Sequence, residues 1–325
     1  MKRAPREMQP LSLLPWQGDP WRRIAQARRR AGLHHALLFR GLAGVGKRRF
    51  AQLLAAALLC EQVDDHGLAC HDCAACQWFL AGSHPDCFVL EPASDSQVIK
   101  VDQVRELVEF TLLTRSRGEH KVVLIQPADA MNENAANSLL KTLEEPPAGV
   151  ILILVTANPA ALAATLRSRC EQIVLPPPPF DAAMAWLRAQ YPEAQQAQLT
   201  EALSAAGGAP LAAEPWLSAL ADGSLQAAKD QWLAVTAGEA DALAVAAAWA
   251  DAPERHVRWL IAWIQAMIRD RMSGSDRLAA AIDVATLYAR LDHALATLRR
   301  VKTPLNAQLL MDDLLIPWHG LNSSG

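Results

Sequence analysis

Short apolar runs set between segments of helical periodicity restrict the first half of this chain more than any other feature. They read "HALLFR" (35–40), "DCFVLEP" (86–92), "KVVLIQ" (121–126), "VILILVTA" (150–157) and "EQIVL" (171–175). A strand buried on both faces has no wet side, so its residues do not alternate. Continuous Val/Ile/Leu runs between helices therefore indicate a parallel sheet covered by helices on both faces. The helical segments fit this reading. "DPWRRIAQARRRAG" is expected to start on Asp19 as cap, with Pro20 at the first helical position, and to end near Gly32. "VDQVRELVEFTLLT" (101–114) is periodic, and "NENAANSLLKTLEE" (132–145) is stopped by Pro146 and Pro147.

Between the first strand and the next helix lies "GLAGVGKRRF" (41–50). Gly41, Gly46 and Lys47, with Gly44 between, fit the G-x-x-x-x-G-K spacing of a phosphate loop, and the strand–turn–helix context is met. Glycines let backbone N–H groups crowd round phosphates at a helix N-terminus, and the lysine reaches the outer phosphates. The next residue should be Ser or Thr, whose oxygen holds Mg²⁺. Here it is Arg48, which has only donors and a fixed charge and cannot ligate a cation. On these residues alone three readings stay open: an NTPase with an unusual ligand, a loop that keeps its fold without its chemistry, and a plain glycine turn.

Four of the six cysteines cluster at Cys60, Cys70, Cys73 and Cys76. In a cytosolic chain such thiols stay reduced, and this spacing suits a tetrahedral Zn²⁺ site. An iron–sulfur cluster is the rival. Four protein ligands leave no position for water, so the metal is expected to be structural. His66 and His71 are read as surface histidines, Cys87 and Cys170 as ordinary small residues.

The proline run 176–179 is expected to separate this half from a second one without strands. There, "HVRWLIAWIQAMIRD" (256–270) sets Val257, Leu260, Ile261, Ile264, Met267 and Ile268 along one helical stripe, a bundle core. Over 325 residues no apolar run approaches the length of a membrane span, and "MKRAPREMQPLSLLPW" lacks a signal-peptide core, so a cytoplasmic location without membrane contact is expected. The net charge of −3 hides an asymmetry: residues 1–50 carry 12 Lys/Arg against Glu7 and Asp19. The cluster "RRIAQARRR" (22–30) is either a phosphate- or acid-facing patch or a solvated helix face.

Taken in order, "HHALLFRGLAGVGK", the four cysteines, "GSHPDCFVLEP", "KVVLIQPADAMNENAANSLLKTLEEPP" and "LRSRC" resemble the bacterial clamp-loader family of AAA+ proteins, over about residues 15–180. "TPLNAQLLMDDLLIPW" (303–318) is similar to that family's last collar helix. The resemblance implies an α/β P-loop AAA+ domain at 1–177 with an inserted zinc module at about 60–80. A small helical lid domain at 178–210 and an all-α collar at 211–325 would follow. It also implies partners: tau/gamma and delta subunits, and through their complex the sliding clamp and primed DNA of the DNA polymerase III system.

Against the family's pattern the chain departs at four positions. Arg48 replaces the Mg²⁺ hydroxyl. Gln126 and Pro127 stand where active relatives carry Asp-Glu, for magnesium and for water activation. Leu211 in "GGAPLAA" stands where they carry a sensor arginine. An amide is a poor magnesium ligand, and proline has no base at all. The resemblance therefore implies a subunit without productive ATP or Mg²⁺ binding and without ATPase or polymerase activity of its own. What remains is "SRC" (168–170), which matches the family's arginine finger, with Arg169 acting in trans on a neighbour's ATP. The alternatives are an active tau/gamma-like ATPase and a stand-alone zinc protein gripping nucleic acid through residues 22–30.

Overall fold

The central apolar runs become strands because every backbone polar group of a two-sided buried segment must pair within a sheet, whereas the edge runs at 86–92 and 171–175 are only partly covered, and the expectation of two-sided burial fails there. In the computed structural model, which describes residues 12–30, 32–93, 96–273, 282–301, 303 and 305–321, the five runs form β1 (Ala36–Arg40), β2 (Cys87–Leu90), β3 (Lys121–Ile125), β4 (Val150–Thr156) and β5 (Glu171–Val174). All pair in parallel, in the order β2-β3-β4-β1-β5. The reading that "MKRAPREMQPLSLLPW" (1–16) lacks a signal-peptide core falls, over residues 1–11, outside the described residues.

Among the described residues seven α-helices accompany the sheet: α1 (Gly18–Arg29), α2 (Lys47–Leu59), α3 (Ala74–Leu80), α4 (Val101–Leu112), α5 (Glu133–Glu144), α6 (Ala164–Arg167) and α7 (Phe180–Gln190). The strand period of two sends alternate residues to opposite layers. Leu37, Phe39, Leu124 and Ile153 pack with Phe50 and Leu54 of α2 and Trp21 of α1. Leu38, Val123 and Leu154 pack with Leu107 of α4 and Leu139 of α5. The expectation of helices on both faces holds.

Asp19 is not the cap of α1. Gln17 holds that position, and Asp19 lies within the first turn, paired with Arg22. Gln17 is drawn into the interior by the glycine loop, which moves the helix start upstream.

Near the N-terminal end of β3, Lys121 and Asp86, both buried, lie 3.7 Å apart. Asp86 also accepts the N–H groups of Ser116 (2.9 Å) and Arg117 (2.7 Å), and the Lys121 ammonium sits 4.3 Å over the Phe110 ring. A buried pair is tolerable only when the remaining hydrogen bonds are made in this way.

The described residues up to Pro192, with Gly208–Ala212, form one compact unit. Glu193–Gly207 and the residues from Ala213 on form another. The segment 178–210 is thus shared: α7 belongs to the first unit and α8 (Gln196–Ala205) to the second. The second unit continues with α9 (Glu214–Ala221), α10 (Ser224–Ala237), α11 (Ala242–Trp249), α12 (Pro253–Ser273), α13 (Val284–Arg300) and α14 (Ala307–Leu315). The stripe expected on α12 is buried throughout, and Trp259 and Trp263 of the same helix are buried beside it. Trp232 stacks on Trp263 (5.5 Å) and meets Trp318 edge-on (5.2 Å). No described helix is long and apolar enough to cross a membrane.

His256 is buried against Trp249, rings 5.0 Å apart, with Nδ1 3.1 Å from the Trp249 carbonyl. Burial, aided by nearby Arg255, lowers its pKa below the ordinary histidine value. The unfolded chain therefore takes up the proton first as pH falls, so this contribution is complete above the unfolded value of about 6.5 and is lost as pH drops from there through the lower folded value. Wild type should lose melting temperature relative to His256→Phe between pH 7 and pH 5, as followed by calorimetry. A constant difference would show that the imidazole does not titrate there.

Candidate functional site

The glycine loop joins β1 to α2. Gly44 and Gly46 have φ of +83° and +89°, which a side chain would strain. The space beside them is filled. A Cβ on Gly44 would press into Ala212, and one on Gly46 would meet Gln17 Nε2 at 2.7 Å and Leu14 Cδ1 at 2.5 Å. Leu211, the residue at the sensor-arginine position, donates its N–H to the Gly44 carbonyl at 3.1 Å. Buried Gln17 donates from Nε2 to the Gly46 carbonyl (3.0 Å), and the Trp16 indole donates to Val45 O (3.0 Å).

The charged side chains of the loop are engaged internally. Buried Lys47 donates to the Leu42 carbonyl at 2.7 Å, and burial lowers its pKa to about 8 against the pull of Asp129. Arg48 pairs with Glu91, just past β2. Gln126, just past β3, donates to the same Glu91 oxygen at 3.2 Å. The positions expected for a magnesium hydroxyl and carboxylate thus hold an arginine and an amide converging on one glutamate. Gln126 joins Pro127 through a cis peptide bond. Asp129 accepts the Thr156 hydroxyl at 2.6 Å. Glu91 and Gln17 escape sequence reasoning. Both contacts span many residues, and nothing in either segment marks its partner.

The cysteines come together as expected. Cys60 ends α2, Cys73 caps α3, and the four Sγ atoms lie within 4.8 Å of one another. The Sγ atoms are 3.6 Å apart for Cys60–Cys70 and 3.9 Å for both Cys60–Cys73 and Cys70–Cys76. Metal–sulfur bonds of about 2.3 Å in a tetrahedron give an S–S edge of about 3.8 Å, so the set could hold one metal ion. Backbone N–H groups point at the sulfurs: Cys70 N at Cys60, Cys73 N at Cys70 and Cys76 N at Cys73, each at 3.3–3.4 Å. The N–H groups of Cys73 and Asp72 lower the Cys70 thiol to about 7, whereas burial raises Cys60 and Cys76. His71 adopts φ +63° to turn the chain between two of the cysteines. Outside the sulfurs, the Trp21 indole donates to the His66 carbonyl (3.0 Å), and Arg117 pairs with Glu61 (2.7 Å). Cys87 and Cys170 stand apart, their thiols pushed up to about 12 by burial.

Arg169 follows α6 and precedes β5. Its Nε donates to Glu144 Oε1 at 2.7 Å, Nη2 pairs with the same carboxylate, and Nη1 donates to the Thr165 carbonyl at 2.8 Å. In the 22–30 cluster, Arg22 is paired with Asp19 and Arg29 reaches the Asp65 carbonyl at 3.3 Å.

A five-stranded parallel sheet with a glycine loop between its β1 and a following helix defines a P-loop α/β domain of the AAA+ class. The family model described as "DNA polymerase III, delta subunit" matches residues 16–179. The chain is 35% identical to the DNA polymerase III subunit delta' of Pseudomonas aeruginosa, over 96% of this chain and 99% of that protein. It is 34% identical to the Escherichia coli subunit delta', over 93% and 94%. The tau subunit of Escherichia coli is 38% identical over 44% of this chain and 22% of its own length. The chain belongs to the delta' family of DNA polymerase III clamp-loader subunits.

Proposed function

We propose that this chain is the non-hydrolysing member of a clamp loader. It assembles in the cytoplasm with tau/gamma and delta subunits, and the complex places the sliding clamp on primed DNA. The observation that carries this reading is the self-satisfied loop. Lys47 is spent on Leu42, Arg48 on Glu91, and Gln126 stands in for a carboxylate. ATP would have to displace all three contacts, and the positions of the magnesium hydroxyl and of the catalytic carboxylates, 48, 126 and 127, carry neither a metal ligand nor a base. Residues 178–210 are assigned as the lid and 211–325 as the collar that holds the ring together.

Zn²⁺ is the metal that best fits Cys60, Cys70, Cys73 and Cys76. The sulfur spacing suits a single ion, whereas a cluster's thiolates bind separate irons. With four thiolates bound, the ion would supply structure and no chemistry. Arg169 is assigned as the finger for a neighbour's ATP, since a planar, permanently charged guanidinium suits paired phosphate oxygens.

The purified chain should release no phosphate from ATP with Mg²⁺, and Lys47→Ala in the assembled complex should leave clamp loading within about twofold of wild type. Magnesium-dependent turnover by the chain alone would establish the tau/gamma-like reading instead.

A further inference from the structure

We propose that Glu144 is the positioning residue for Arg169. The proposal rests on the reading that Arg169 acts on a neighbour's nucleotide. The arginine sits on a short connection between the four-residue α6 and β5. A half-exposed arginine on such a link samples many rotamers when unpaired, and a finger must hold one. Glu144 provides the anchor. It is the last residue of α5, a helix fixed to the sheet through buried Leu139 and Leu143. Its carboxylate therefore sits on a rigid element.

The geometry also fits the task. An arginine has five N–H donors. Here Nε and Nη2 go to Glu144, and one Nη1 hydrogen goes to Thr165 O. Two N–H groups are left, the number a bidentate phosphate contact uses. Glu144 also lies at a helix C-terminus, where the macrodipole disfavours an anion and gives it no local support. A carboxylate there gains from a cation brought to it, and Arg169 is that cation.

The test uses the clamp loader reconstituted with variant subunits, and follows clamp- and DNA-stimulated ATP hydrolysis in single turnover. Glu144→Ala should slow the site that this subunit borders by roughly 10- to 100-fold through lost orientation, with nucleotide KM unchanged. Glu144→Gln keeps an acceptor oxygen and should recover part of the rate. The decisive arm is the double variant: Glu144→Ala on top of Arg169→Ala should add no further loss, because the glutamate acts only through the arginine. Both variants should melt with wild type, since exposed ion pairs contribute little to stability. If Arg169→Ala slows the site but Glu144→Ala leaves or raises its rate, the positioning role is wrong while the finger stands. A double variant slower than Arg169→Ala alone would show Glu144 acting elsewhere. An Arg169→Ala complex at wild-type rate overturns the finger reading itself, and this proposal with it.

Discussion

A clamp loader carrying Arg169→Ala should hydrolyse ATP about 10³- to 10⁵-fold more slowly at one site, the one bordering this subunit, and normally at the others. That factor corresponds to about 4–7 kcal/mol of transition-state stabilisation, the usual worth of an arginine supplied in trans. The effect is confined to the transition state because charge accumulates on the γ-phosphate oxygens only there. Arg169→Lys should rescue little, since a point charge cannot bind two oxygens in one plane. Assembly should be unaffected, because the side chain is partly exposed and its pair with Glu144 lies at the surface. Single-turnover hydrolysis with clamp and primed DNA reads the result directly. Every site firing at the normal rate would reduce Arg169 to a surface arginine with an intrachain partner.

The second large effect concerns the cysteines. The purified chain should carry one zinc, and Cys73→Ser should release it. Apparent binding energies of structural zinc in small modules are about 10–16 kcal/mol, and that energy is local folding energy. Serine can still cap α3, so the loss should come from the missing thiolate rather than from the helix start. Residues 60–80 should lose hydrogen-exchange protection, and the Trp21–His66 and Arg117–Glu61 contacts that lean on the module should loosen with them. The sheet, whose core is built from Leu37, Phe39, Leu124 and Ile153, should keep its protection. Elemental analysis together with exchange mapping decides. A metal-free protein with residues 60–80 fully protected would show that the thiols hold themselves.

Much of this was legible in the sequence, and the pattern of what was not has a physical cause. Strands and helices announce themselves through local periodicity, and all five apolar runs became strands within a residue or two of their expected limits. The cysteine cluster was equally readable, because its ligands fall within 17 residues. Contacts between distant polar residues leave no such trace. Gln17 reaches a carbonyl 29 positions away, Arg48 a carboxylate 43 away, and Arg169 a carboxylate 25 away. The helix start at Gln17 rather than Asp19 follows from the first of these, a tertiary pull that no capping preference encodes. The return of Gly208–Ala212 to the α/β unit is of the same kind. Nothing in "GGAPLAA" indicates that Leu211 bonds the glycine loop, although its side chain already argued against a sensor arginine.

The filled glycine loop has a thermodynamic corollary. A ligand stabilises a fold by mass action only to the extent that it binds the native state, as RT ln(1 + [L]/Kd). Subunits that bind ATP therefore have folding equilibria that rise and fall with the energy charge of the cell. On the reading proposed, Lys47, Arg48 and Gln17 act as built-in ligands at an effective concentration that never changes. This subunit's fold would be buffered against ATP depletion, persisting as an intact scaffold when its nucleotide-dependent neighbours are at their least stable.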